Sequence, residues 1–168
     1  MNAEIKRRFD DLERRRVAMT AKVRAMTPEQ QNAHPDPKAF SALEVIKHFS
    51  LAENGNLQFL RNTAPSSLQG QKPKLRFMYH KVLKGLKDPS KMMATLPYMV
   101  PSGALNIEDA DRSWEAARAE LAAFLEPVDA QDDAFCKFMF LFGLGSADDY
   151  LALMEAHMNY HEARFPKV

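Results

Sequence analysis

Residues 3–26, AEIKRRFDDLERRRVAMTAKVRAM, place Ile5, Phe9, Leu12, Met19, Val23 and Met26 at alternating steps of four and three, with Arg16 in the one missing place. That spacing winds a single apolar stripe along an amphipathic helix of about seven turns and leaves the charged residues outside it. The same period returns three times. Ser41-Ala42-Leu43-Glu44 is a capping box that opens a second helix from about Ala42 to Arg61, carrying Val45, Ile46, Phe49, Ala52, Leu57, Phe59 and Leu60. Ile107, Ala110, Trp114, Ala117, Leu121 and Phe124 mark a third, stopped near Pro127, whose opening residues Glu108, Asp109 and Asp111 suit the positive end of a helix dipole. Ser146-Ala147-Asp148-Asp149 caps a fourth, with Tyr150, Leu151, Met154, His157, Met158, His161 and Phe165 on it and Pro166 as its stop. One all-α domain over residues 1–168 is predicted. Four long helices with substantial connections make it a four-helix bundle with at least one crossover.

Between the long helices, Thr27-Pro28-Glu29-Gln30 is a second capping box opening a short helix, which the turn 32–37 closes. Pro65, Ser66, Ser67 and Gly70 read as a loop, after which Pro73 starts a helix carrying Leu75, Met78, Tyr79, Val82 and Leu86. Residues 87–105 hold Pro89, Pro97, Pro101 and Gly103 without a sustained period, so an irregular connection is expected there, of a length that often forms a wall or lid over a site. The apolar run 135–142, bounded by Gly143-Leu144-Gly145, has no strand to pair with and reads as a buried extended segment.

At 168 residues, with 46% apolar and 27% charged, the chain has the size and composition of one self-sufficient core. Lys and Arg number 23 against 22 Asp and Glu, for a net charge of +1, so no whole-molecule field draws in nucleic acid or anionic lipid. The one local excess, Lys6, Arg7, Arg8, Arg14, Arg15 and Arg16, is interrupted by Asp10, Asp11 and Glu13 and reads as a solvated helix face. Cys136 is the only cysteine, which rules out a disulfide within the chain and fits a reducing, cytoplasmic setting. The opening MNAEIKRRFDDLERRR has no apolar core of signal-peptide length, and no window approaches the ~20 apolar residues of a membrane span. Neither secretion by that route nor insertion is expected.

Chemistry concentrates in His157-Met158-Asn159-Tyr160-His161. A spacing of four returns a side chain to nearly the same helix face, with Cβ atoms about 5–6 Å apart, close enough for two imidazoles to hold one ion. Both continue the stripe of Tyr150 and Met154 and so point inward. His48, three residues from Val45 and four from Ala52, points inward from the second helix. Two readings stand. Three inward histidines on packed helices form a facial metal site with open positions, the mark of a catalytic centre. Alternatively they are core residues hydrogen-bonded to Tyr, Asn or backbone.

Other candidates fall away. His34 sits in a proline-flanked turn and His80 is out of phase with its helix, so both read as surface residues. Met158 stands where a zinc protease carries glutamate, so H-E-x-x-H is absent. Gly143-Leu144-Gly145 lacks the third glycine and the preceding parallel strand of a dinucleotide loop. Cys136 lies among Phe135, Phe138 and Phe140, where burial disfavours the thiolate, and the ten methionines read as core filler. Glu53, five residues after His48, lies about 140° around the helix. It reads as a hydrogen-bonding residue between helices or an exposed carboxylate, not as a ligand. No general acid or base is identified.

Three pieces in this order, Ser41-Ala42-Leu43-Glu44-Val45-Ile46-Lys47-His48 with Glu53, Phe142-Gly143-Leu144-Gly145-Ser146, and Ala156-His157-Met158-Asn159-Tyr160-His161, resemble the DinB/YfiT-like metal-dependent enzymes over nearly the whole chain. The resemblance implies a four-helix bundle with a crossover, commonly a homodimer. It also implies a divalent metal, zinc or nickel, on His48, His157 and His161. Relatives of that type include transferases and isomerases that use low-molecular-weight thiols, and hydrolase-like members, so the expectation is thiol transfer or hydrolysis of a small molecule. The competing expectation is a non-catalytic, stress-associated or binding homodimer of the same fold, with or without metal. Fold and ligands alone do not choose the reaction.

Overall fold

The computed structural model describes residues 1–62, 76–128 and 146–165. They form six α-helices and no strand: α1 (Ala3–Arg24), α2 (Pro28–Asn32), α3 (Ala42–Asn62), α4 (Arg76–Leu86), α5 (Ile107–Leu125) and α6 (Ala147–Arg164), with a 3-10 turn at Pro97–Met99. The expected start of α4 at Pro73, the segment 135–142 with Cys136, the glycine pair 143–145 and the stop at Pro166 lie outside the described residues.

Five of these helices, α1, α2, α3, α5 and α6, begin where a side chain satisfies free backbone N–H groups of the first turn. Asn2 accepts from the Ile5 amide at the head of α1. Thr27 with Gln30, Ser41 with Glu44, and Ser146 with Asp149 form reciprocal capping boxes at α2, α3 and α6. Asn106, a cap that the sequence pattern did not single out, accepts from Glu108 and Asp109 at α5. α1 ends at Arg24 and not at Met26, because the Thr27 cap needs extended backbone ahead of the next helix.

α3 lies along α5, while α1 touches α3, α5 and α6, and α4 packs on α6. The stripe read from residues 3–26 is the one buried, with Ile5, Leu12 and Val23 fully out of solvent. They join Ile46, Phe49, Leu57, Trp114, Leu121 and Leu151 in one core, each such side chain contributing about 1.5–3 kcal/mol by leaving water. α6 is buried on several faces, through Tyr150, Leu151, Leu153, Met154, Ala156, Met158 and Tyr160.

Arg16 fills its place in the α1 stripe by pairing with Glu13 and with Asp111 of α5, whose other oxygen takes Arg24 at 2.7 Å. Asp111 therefore bridges to α1, beyond the dipole role expected of it. The basic run is likewise only partly a solvated face. Arg8 grips Glu155 through two bonds of 2.7 and 2.9 Å, and Arg15 grips Glu162 at 2.9 and 2.7 Å, both across to α6. Lys6, Arg7 and Arg14 stay exposed and pair within α1.

The connection after α4 returns to the helices at several points. The Tyr160 hydroxyl accepts from the Met93 amide at 3.1 Å and donates to the Lys91 carbonyl at 3.0 Å. Gly103, at φ +78, turns the chain toward the Asn106 cap. No helix among the described residues is long and apolar enough to cross a membrane.

Candidate metal centre

α3 brings His48, and α6 brings His157 and His161, to one point. Their ring centroids form a nearly equilateral triangle, with sides of 5.0, 4.9 and 4.9 Å. One nitrogen from each ring lies within 4.8 Å of the others. The His48 and His157 Nε2 atoms stand 3.0 Å apart, near the ~3.3 Å edge expected between imidazole nitrogens on a tetrahedral ion. The i, i+4 spacing on α6 does locally what the sequence predicts, while the contact between His48 and His157 spans 109 positions and depends on packing.

The protonation of His48 follows from its partner. The Met99 carbonyl, 2.9 Å from Nδ1, only accepts, so Nδ1 carries the hydrogen. On a neutral ring Nε2 is then bare and faces the other two histidines. A hydrogen bond of this kind, from the far ring nitrogen to a carbonyl, fixes tautomer and ring orientation at metal sites.

Burial keeps the rings neutral. It pushes His48 below its ordinary pKa, against the Met99 bond that favours the charged form. His157 and His161 lie well below the ordinary value, again chiefly through burial. For His157 the neighbouring His161 and His48 add to the effect, and for His161 His48 and the Arg164 guanidinium do. His48 and His161 are buried; His157 keeps partial exposure because it meets a cavity. Three uncharged imidazoles with converging nitrogens form a group of the kind able to hold a metal ion, and imidazole donors suit several first-row divalent ions alike.

Aromatic rings back the cluster. Phe49 lies 4.9 Å from His157 and 5.1 Å from His161 and stacks on Trp114 at 4.7 Å, with the rings 4° from parallel. Trp114 donates through Nε1 to Glu53 at 2.8 Å, and Arg118 grips the same carboxylate at 2.7 and 2.9 Å. Glu53 is thus the interhelical hydrogen-bonding residue of the two alternatives its position allowed, buried between α3 and α5. Phe40 covers the other side, 5.1 Å from His48.

The cavity beside His157 has a volume of about 740 Å³, within the range of small-molecule sites. Its walls come from α3, α4, α6 and the 87–105 connection, including Met92, Met93, Leu96, Tyr98 and Met99. The connection expected to form a wall does so. His34 and His80 take no part: both are exposed, and His34 donates to the Ala39 carbonyl at 2.8 Å.

No family model, curated protein or solved structure matches this chain.

Proposed function

We propose that the protein is a metal-dependent enzyme of the DinB/YfiT-like type. In this reading α1, α3, α5 and α6 make a four-helix bundle, the segment between α3 and α5 is the crossover, and the active species is a cytoplasmic homodimer. His48, His157 and His161 hold one divalent ion, zinc or nickel, and the reaction is thiol transfer or hydrolysis on a small molecule. The observation that carries this reading is the convergence of three neutral imidazoles at the edge of a cavity large enough for a substrate.

A purely structural role accounts less well for the same geometry. Three core histidines would each be satisfied by Tyr, Asn or backbone, but here, among the described residues, only His48 meets the backbone, at Met99, and the partner of His157 is another histidine, Nε2 to Nε2. A non-catalytic binding protein of this fold would close the site, whereas this one opens on a cavity.

A bound divalent ion supplies Lewis acidity that lowers the pKa of a coordinated thiol or water. The chain supplies the rest. Met99 holds the His48 tautomer, Phe49 and Phe40 exclude water from the imidazoles, and the cavity walls fix the substrate.

The test is metal content by inductively coupled plasma mass spectrometry on untagged protein, wild type against His157→Ala. Near-stoichiometric zinc or nickel that vanishes in the variant is expected. No metal in either protein, even after reconstitution, overturns the reading.

A further inference from the structure

The cavity has an uneven charge balance. In a chain with 23 basic and 22 acidic residues, its lining carries Lys38, Lys81 and Arg164 and, among the described residues, no aspartate or glutamate. Most of the remaining wall is apolar, from Met78, Val82, Leu86, Met93, Leu96 and Leu153. The three histidines bring no negative charge either.

Arg164 is the informative member. Among the described residues, the arginines that reach from one helix to another are paired: Arg8 with Glu155, Arg15 with Glu162, Arg16 and Arg24 with Asp111, Arg61 with Glu120 and Arg118 with Glu53. Arg164 meets no carboxylate among the described residues. It donates through Nη1 to the Pro89 carbonyl at 2.7 Å, lies 3.4 Å from Met92 Sδ through Nη2, and rests 5.3 Å over the Tyr160 ring. These contacts hold the half-buried Arg164 side chain at the cavity wall and leave three of its five N–H donors without a partner among the described residues. A cation in the last turn of α6 suits the helix dipole, but the dipole does not require a side chain turned onto Tyr160 and Met92.

Arg164 also lies three residues beyond His161, one helical turn along the same face. A ligand could therefore touch the guanidinium with one end while its body lies beside the histidines. A cationic ligand would meet three like charges, and a neutral one would leave the free donors of Arg164 unused, whereas an anion would take them in a charge-assisted hydrogen bond.

We propose that this cavity takes an amphipathic anion, an apolar body bearing one carboxylate, sulfonate, sulfate or phosphate group, and that Arg164 selects the charge. The proposal rests on the reading of the cavity as a substrate site and names the class of substrate. Binding of such a molecule does not itself need the ion.

Isothermal titration calorimetry on the full chain after chelation tests it with three probes of one chain length, octyl sulfate, 1-octanol and octylammonium, each kept below its micellar range. Octyl sulfate is expected to bind one to one and about tenfold more tightly than 1-octanol, the usual scale for a hydrogen-bonded charge pair, with octylammonium weakest. Arg164→Gln should bring octyl sulfate down to the level of 1-octanol while leaving 1-octanol unchanged, which also shows that the variant keeps its cavity. Equal binding of the three probes by the wild type overturns the proposal without any variant, and a sulfate preference that survives in Arg164→Gln overturns the role of Arg164. Metal content of the same preparation before chelation separates the two readings. Stoichiometric metal without anion preference removes this inference alone, and anion preference without metal upholds it while removing the enzyme.

Discussion

Glu53 touches none of the histidines, yet it fixes the ring that backs them. It holds Trp114, Trp114 stacks on Phe49, and Phe49 lies against His157 and His161. Its partner Arg118 is only 2% exposed, so Glu53→Gln leaves a buried guanidinium without its carboxylate. The expected cost is about 3–5 kcal/mol in urea unfolding. Glu120→Gln, which breaks the more exposed pair with Arg61, should cost less than about 1 kcal/mol. Equal effects would mean that the buried pair is not the stronger constraint. The sequence left Glu53 between two roles because its partners lie 61 and 65 positions away, where no local period reaches. The histidines themselves predict a pH dependence. In the unfolded chain they titrate near 6.5, while burial lowers all three in the fold. As pH falls below about 6.5 the unfolded state takes up protons that the folded state refuses, so stability is complete above that pH and lost below it. Each histidine adds up to about 1.4 kcal/mol per pH unit. Urea midpoints of chelated protein should fall steadily from about pH 7 to pH 5, and less steeply in His157→Ala; a flat profile would contradict the burial of the cluster.

At the scale of elements, helix starts were legible because caps are local: Thr27, Ser41 and Ser146 each sit three residues before the partner that closes the box. The 87–105 connection was legible as irregular and as a wall, but not in how it is seated. Two glycines seat it. A Cβ on Gly55 would stand 2.6 Å from Cε2 of the Tyr98 ring, and one on Gly85 would stand 2.4 Å from Met93 Sδ. In sequence Gly55, inside α3, reads only as a loss of about 1 kcal/mol in propensity and Gly85 as the end of α4, and the residue that needs the space lies on another element. The two positions should respond differently to alanine. The Tyr98 ring is stiff and must leave α3, so Gly55→Ala should destabilise by about 1–3 kcal/mol and speed proteolytic cleavage within 87–105. The Met93 thioether swings on three rotatable bonds, so Gly85→Ala should stay within about 1 kcal/mol of wild type, helped by the gain in helix propensity. Thermal unfolding with limited trypsin digestion reads both, and like responses would show that the ring does not depend on the glycine.

For the whole molecule, the all-helical character was written in the period of the apolar residues, since each stripe had to be buried whatever its partner. Which helices would meet was not, because ion pairs such as Arg8 with Glu155 and Arg16 with Asp111 join positions far apart in the chain, and a mixed run of charge looks the same whether it faces water or another helix. The histidine site shares this division: its α6 half follows from a spacing of four, and its α3 half exists only once the helices pack. That is why an ion there should act on the entire fold. The three imidazoles converge only in the folded state, so a metal binds it in preference to the unfolded chain and adds RT ln(1 + [L]/Kd) to stability. With free zinc at a thousandfold Kd the gain is about 4 kcal/mol, and at about 2–4 °C per kcal/mol for a chain of this length the melting temperature should rise by roughly 8–16 °C. Differential scanning calorimetry of metal-loaded against chelated protein measures this directly, and His161→Ala should abolish the difference while both forms still melt cooperatively. If the loaded and chelated wild type melt at the same temperature, the triangle of imidazoles holds no ion in preference to the unfolded chain, and the histidines serve packing alone.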